Sequence, residues 1–165
     1  TPPTATPRPI VQPTPTRTPI ASGSAGVSGV VRLQGRASLA GTTILVDGVP
    51  RTTTGSTGAF AVSGLAAGTH TVTARRAGML DSARTVSIAG GTLALGTTTL
   101  RAGDLDGDNA VQYADFTNLF GRWGACQGSA NYLALADYDL DRCNGYGDYY
   151  LMYPNYRLVG PTAWR

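Results

Sequence analysis

The 165-residue chain predicts a mainly β fold: a β-sandwich, followed by a small α domain and preceded by an extended Pro/Thr-rich segment. Three observations carry this. Residues 1–25 are rich in Pro and Thr and show no hydrophobic period. Residues 26–101 alternate apolar and polar side chains between Gly-rich turns. In residues 102–165 an Asp-rich stretch runs into a helical apolar pattern, and the unit beginning at Asp104 begins again at Asp137.

Seven Pro and six Thr precede Ser22. Such a stretch cannot bury a core and prefers extended polyproline II. It resembles the Thr/Pro linkers of secreted bacterial surface proteins, which are often O-glycosylated. Both glycosylated threonines and a bare flexible spacer remain open.

Seven strands are expected, at about 26–34, 42–47, 49–54, 58–63, 69–76, 83–89 and 93–101, with Asp47-Gly48 as a hairpin turn. Short strands at near-regular spacing read as an antiparallel sandwich. The runs Gly58-Ala59-Phe60 and Leu65-Ala66-Ala67-Gly68-Thr69-His70-Thr71-Val72 resemble the carboxypeptidase-regulatory-like, Cna-B-like family of Ig-like sandwiches, which implies a spacer or stalk. His70, the one histidine, alternates with Val72 and is expected to be solvated or on an edge strand. Asp47 and Asp81 are the only acids in this half, so no catalytic constellation can be built around it. The sandwich has Phe60 as its single aromatic, which gives no platform for carbohydrate. The chain reads as non-enzymatic.

Asp104, Asp106, Asp108 and Asp115 occupy positions 1, 3, 5 and 12 of a twelve-residue loop, and Asp137, Asp139, Asp141 and Asp148 repeat them. This is the ligand spacing of an EF-hand loop, which curls round a hard cation needing six to eight oxygens. Two Ca²⁺ ions are expected, held by these eight carboxylates and the position-7 carbonyls of Ala110 and Cys143. Position 6, usually Gly, is Asn109 in the first loop and Arg142 in the second. The left-handed backbone expected there suits Asn better than Arg. Asn144 replaces the usual apolar residue at position 8, where the first loop has Val111. The second site is therefore expected to be the more distorted and weaker.

Phe116, Leu119, Phe120 and Trp123 follow the first loop, and Tyr149, Met152, Tyr153 and Tyr156 the second. Both sets have the spacing of one helix face, and their aromatics are expected in the core. Pro154 should end the second helix.

This loop–helix duplication, over about 102–165, resembles a dockerin, a non-catalytic module that plugs a secreted bacterial protein into a cohesin. By that resemblance Tyr113, Ala114, Tyr146 and Gly147, at positions 10 and 11, are candidate partner contacts. A sandwich beside a dockerin resembles the paired X-module and dockerin of cellulosomal proteins. Leu100 to Asp104 is too short for free rotation, so 26–101 and 102–165 are expected to form one rigid unit. Chelation is expected to unfold 102–165 and leave the sandwich intact.

The chain has neither Glu nor Lys. Residues 1–101 hold nine Arg and two Asp, and residues 102–165 four Arg and eight Asp; two Ca²⁺ would neutralise the second part. The Arg residues are scattered without aromatic interleaving, which argues against nucleic acid. No apolar stretch is long enough to span a membrane. The chain opens on Thr1, as a processed secreted chain or an excised piece would. Cys126 and Cys143 lie without a CxxC or a nearby His, against zinc or redox catalysis. A bridge between packed paralogous loops is expected, with two buried thiols as the alternative. A bridge implies an extracellular or cell-surface setting.

Two functions follow. One is a calcium-dependent plug attaching a secreted protein to a cohesin-like receptor. The other is a subunit of an extracellular filament or surface layer, assembled head-to-tail with neighbouring copies through an ordered N-terminal segment.

Overall fold

The computed structural model describes residues 25–164. The Pro/Thr segment, with the glycosylation and filament contact expected of it, lies outside the described residues apart from Ala25.

The strands are β1 (Ala25–Leu33), β2 (Thr43–Val46), β3 (Val49–Thr53), β4 (Ala59–Leu65), β5 (Gly68–Arg75), β6 (Gly78–Met79), β7 (Ser82–Ile88), β8 (Thr92–Leu100), β9 (Ala102–Asp104) and β10 (Thr162–Ala163). Period-2 alternation produces the longer ones. In β4, Phe60 and Val62 are buried while Ala59, Ala61 and Ser63 are exposed. Asp47 and Gly48 both have positive φ, 52° and 78°, the requirement of a two-residue type I′ hairpin between β2 and β3. Gly58 has φ +78°, and a Cβ there would lie 2.1 Å from the Val31 carbonyl oxygen. Only glycine lets the chain enter β4 this close to β1.

The strands form a three-stranded sheet, β4-β1-β8, a five-stranded sheet, β10-β7-β5-β2-β3, and a short antiparallel pair, β6-β9. Two expectations are corrected here. The sandwich is not wholly antiparallel: β1 and β8 run parallel, from Gly26 opposite Thr92 to Leu33 opposite Leu100. A parallel pair needs a long crossover, and the whole of 34–91 supplies it. Alternation reports the buried face of a strand, not its neighbour. His70 is also not on an edge strand, since β5 lies between β7 and β2. Its Nδ1 is 2.7 Å from Asp47 Oδ2 and its Nε2 2.9 Å from the Ala66 carbonyl.

Two short helices follow, α1 (Tyr113–Phe120) and α2 (Tyr146–Met152). A 3-10 turn at Tyr153–Asn155 contains Pro154 and ends α2, as a residue without an N–H must. One apolar core runs through both halves. Val31, Ile44, Val72 and Leu100 of the sandwich share it with Val111, Phe116, Leu119, Tyr138 and Met152. Fully burying each such side chain is worth about 1.5–3 kcal/mol, so the halves stabilise one another.

Polar contacts cross the same boundary. Asn155 donates to Gln34 Oε1, the Ala102 carbonyl and the Leu151 carbonyl at 2.8, 2.7 and 3.0 Å. Gln34 in turn donates to the Leu151 carbonyl. The buried Tyr138 hydroxyl donates to the Gly78 carbonyl at 2.9 Å, and burial pushes its pKa far up. The tail after α2 returns to the sandwich: β10 pairs with β7, and Trp164 packs edge-on against Phe60 at 5.7 Å.

Candidate functional site

β9 ends at Asp104, so the sheet runs directly into the first Asp-rich loop. The carboxylates of Asp104, Asp106 and Asp108 lie within 4.8 Å of one another, as do those of Asp137, Asp139 and Asp141. Asp115 and Asp148 are fully buried and close each loop from its end. Asp115 Oδ1 accepts from the Leu105 and Asp106 N–H groups and its Oδ2 from Gln112 N–H. Asp148 does the same with Tyr138, Asp139 and Gly145 N–H. Each is also the N3 residue of the helix that follows, where a carboxylate suits the exposed amides of the first turn. Loop closure and helix initiation are thus one event.

The donor set fits a divalent cation. Among the described residues none of the eight loop carboxylates has an Arg or His partner within 4 Å; the two ion pairs are His70–Asp47 and Arg75–Asp81. Asp137 Oδ1 is buried without a hydrogen-bond partner among the described residues. The Ala110 and Cys143 carbonyls accept no hydrogen bond among the described residues. Burial pushes the Asp104 and Asp148 carboxyls up, opposed by the N–H groups of Gly107 and Asn109 for Asp104 and of Gly145 and Tyr138 for Asp148. Crowded, partly desolvated acids of this kind are costly until a cation neutralises them.

The loops differ as their sequences suggest. Asn109 and Arg142 both have positive φ, 64° and 73°. Leu140 also has φ 65°, where the first loop has Gly107 at 84°. Asn109 has a further role that the spacing did not reveal: its Oδ1 accepts from Asp81 N–H at 2.8 Å, tying the loop to the sandwich. Asn144 is buried and satisfied, accepting from Leu133 N–H and donating to the Leu133 carbonyl. Tyr132 donates to Asp137 Oδ2 at 2.5 Å, which pushes the phenol up to about 12. Neither Tyr132 nor the Asn109 contact carries a periodic signal in the sequence. Cys126 and Cys143 form a disulfide, which excludes the two-thiol alternative and pins position 7 of the second loop to the segment after α1.

The expectation that the aromatics are core is corrected in part. Phe116 is buried and Tyr149 half-buried, but Phe120, Trp123, Tyr153 and Tyr156 are exposed. The helices have eight and seven residues, too short to carry the whole apolar pattern. Phe116, Leu119 and Met152 lie in the core and Tyr149 packs against it, while Phe120, Trp123, Tyr153 and Tyr156 rest on aromatic neighbours. Trp123 meets Tyr146 edge-on at 4.8 Å, and Tyr149 stacks on Tyr153 at 5.4 Å. Tyr113 and Tyr146 are 72% and 68% exposed and sit at the helix starts, and Tyr113 lines an apolar hollow of about 200 Å³ with Phe116, Phe120, Tyr149, Tyr153 and Tyr156. Ala114 is exposed as well. Gly147 has a steric reason of its own: a Cβ there would lie 1.7 Å from Asp139 Oδ2.

Comparison with known proteins places the fold. A family described as a domain of unknown function (DUF3869) matches residues 23–103. No curated protein sequence matches the chain. Among solved structures, a chain of an N-terminal interface mutant of the type II Cohesin-X-Dockerin complex from Acetivibrio cellulolyticus superposes with a TM-score of 0.73 and 24% identity, covering 82% of this chain and 97% of that one. A chain of the C-terminal interface mutant of the same complex matches with the same values. The resemblance at this identity is one of fold.

Proposed function

We propose that the chain is a non-enzymatic, extracellular attachment module: an Ig-like sandwich at about 26–101 joined to a dockerin-like calcium unit at 102–165. The unit holds two Ca²⁺ through Asp104, Asp106, Asp108, Asp115 and the Ala110 carbonyl, and through Asp137, Asp139, Asp141, Asp148 and the Cys143 carbonyl. One observation carries the reading. Two loops whose carboxylates have no cationic partner among the described residues each close onto a short helix, and those helices leave Tyr113, Phe120, Tyr146 and Tyr150 exposed. An exposed apolar patch of this kind marks a protein contact. The fold likeness to a chain from a cohesin–X–dockerin complex supports a cohesin-like receptor as the partner.

Tyr113, Ala114, Tyr146 and Gly147 are the contact residues, with Phe120 and Tyr150 beside them; the lack of a Cβ at Gly147 also makes room for Asp139. Calcium acts by holding both helix starts in place. The test is titration calorimetry against a panel of type II cohesins, with calcium and with chelator. Calcium-dependent binding that falls at least about tenfold in Tyr146→Ala, as for an interface hot spot, is expected. No binding to any member, with calcium-dependent oligomers in sedimentation velocity, would favour contact between copies of the chain instead.

A further inference from the structure

Where the sandwich meets the segment just before the second loop, a groove of about 580 Å³ opens between Arg36, Thr43, Arg75, Arg76, Ala134 and Leu135. Arg75 is matched by Asp81, whose Oδ2 lies 2.7 and 2.9 Å from its guanidinium nitrogens. Arg36 and Arg76 have no carboxylate within ion-pair distance among the described residues. Each is held only through a main-chain carbonyl: Arg36 donates to Asp137 at 3.3 Å, and Arg76 donates to Ala40. The Arg36 Nε is buried with no acceptor among the described residues. Burial, and then the charge of Arg36, hold the Arg76 guanidinium below its ordinary value. Two like charges in a partly desolvated groove, with a donor left over, are unfavourable unless a counter-charge enters.

We infer that this groove is an oxyanion site, in which Arg36 and Arg76 together bind a carboxylate, sulfate or phosphate group. The guanidinium is a planar fork of N–H donors matched to such groups and remains charged at any relevant pH. The uncharged wall residues, Gly41, Thr43, Ala77, Ala134 and Leu135, bring no competing negative charge. The volume falls in the range of small-ligand clefts, so it admits a free ion or an anionic group carried on a larger molecule.

The experiment uses the full calcium-loaded chain. Sodium sulfate is titrated against sodium chloride at matched ionic strength, and the arginine side-chain N–H signals and the melting temperature are followed. A second arm uses a short sulfated oligosaccharide. Saturable shifts of Arg36 and Arg76 with a saturable rise in melting temperature are expected. Arg36→Gln and Arg76→Gln should each weaken binding about tenfold, as loss of a charged hydrogen bond does. Tighter saturation by the oligosaccharide assigns a group on a polymer, and equal saturation assigns the free ion; both sustain the site. Should either glutamine variant fold poorly, Ala134→Glu serves, because it places a carboxylate beside the guanidiniums and should abolish the sulfate response in a folded protein. A response that is linear, absent, or the same in wild type and Ala134→Glu overturns the inference.

Discussion

Arg142→Gly and Leu140→Gly should tighten the second calcium site. Both residues adopt the left-handed backbone, at φ 73° and 65°, which costs a non-glycine residue about 1–2 kcal/mol. Glycine returns about 0.4–1 kcal/mol of that by loosening the unliganded loop. The net gain is about 0.5–1 kcal/mol per substitution, or roughly two- to fivefold in affinity. Little else is lost. Leu140 is 47% exposed, and the Arg142 side chain makes no hydrogen bond among the described residues. Arg142→Gln isolates the charge effect, because it removes the cation without relieving the backbone. The assay is competition with a chromophoric calcium chelator in a background where Asp104→Ala and Asp115→Ala have silenced the first loop. Unchanged or weaker affinity in both glycine variants, or a gain in Arg142→Gln as large as in Arg142→Gly, would refute the backbone argument.

Other consequences follow from the same geometry. Asn155→Ala removes the donor shared by Gln34, Ala102 and Leu151 and should cost about 2–3 kcal/mol in urea unfolding; a cost near zero would show that the halves do not depend on this junction. The shared core replaces the expectation that chelation spares the sandwich: calcium removal should lower a single cooperative melting transition, and two separated transitions would contradict that. Opening the Cys126–Cys143 bridge, with its separation of 17 residues, should cost about 3 kcal/mol and weaken the second calcium site more than the first, measured by calorimetry with and without reductant. His70 is raised above its ordinary value of 6.5 by its hydrogen bond to Asp47 and then by the Ala66 carbonyl. Asp47 is lowered from 3.8 by His70 and then by Thr71 N–H. The histidine's contribution is full below its unfolded pKa and fades as pH rises through the folded one. The aspartate's is full above its unfolded pKa and fades as pH falls through the folded one, so the pair stabilises between about pH 4 and 6.5. An NMR titration should place His70 above 6.5 and return it towards that value in Asp47→Asn; identical midpoints would remove the pair.

Much of this was legible in the sequence because its signals are periodic. Two-residue alternation located the seven long strands to within a residue or two, and the loop spacing located both acidic clusters. What escaped was non-periodic. β6, β9 and β10 have two or three residues each, and pairing over long separations leaves no local pattern. The parallel pairing of β1 with β8 is a property of topology, to which alternation is blind. The aromatic residues misled because helical spacing names a common face but not whether that face meets a core. Tyr132, Asn144 and Arg36 act through side-chain contacts that only the folded chain brings together. The glycine usual at position 6 is absent for an understandable reason in the first loop, where the Asn109 side chain reaches the sandwich. The structure offers no such reason for Arg142.

The central claim is that two Asp-rich loops each hold one calcium ion and thereby set the helix starts that carry the docking face. Calcium titration calorimetry of the chelator-stripped full chain tests it most directly. Two ions per chain are expected in the wild type. One is expected in Asp104→Ala with Asp115→Ala, and one in Asp137→Ala with Asp148→Ala, the former losing the tighter site. No calcium heat in the wild type, or a stoichiometry indifferent to these substitutions, would contradict the account.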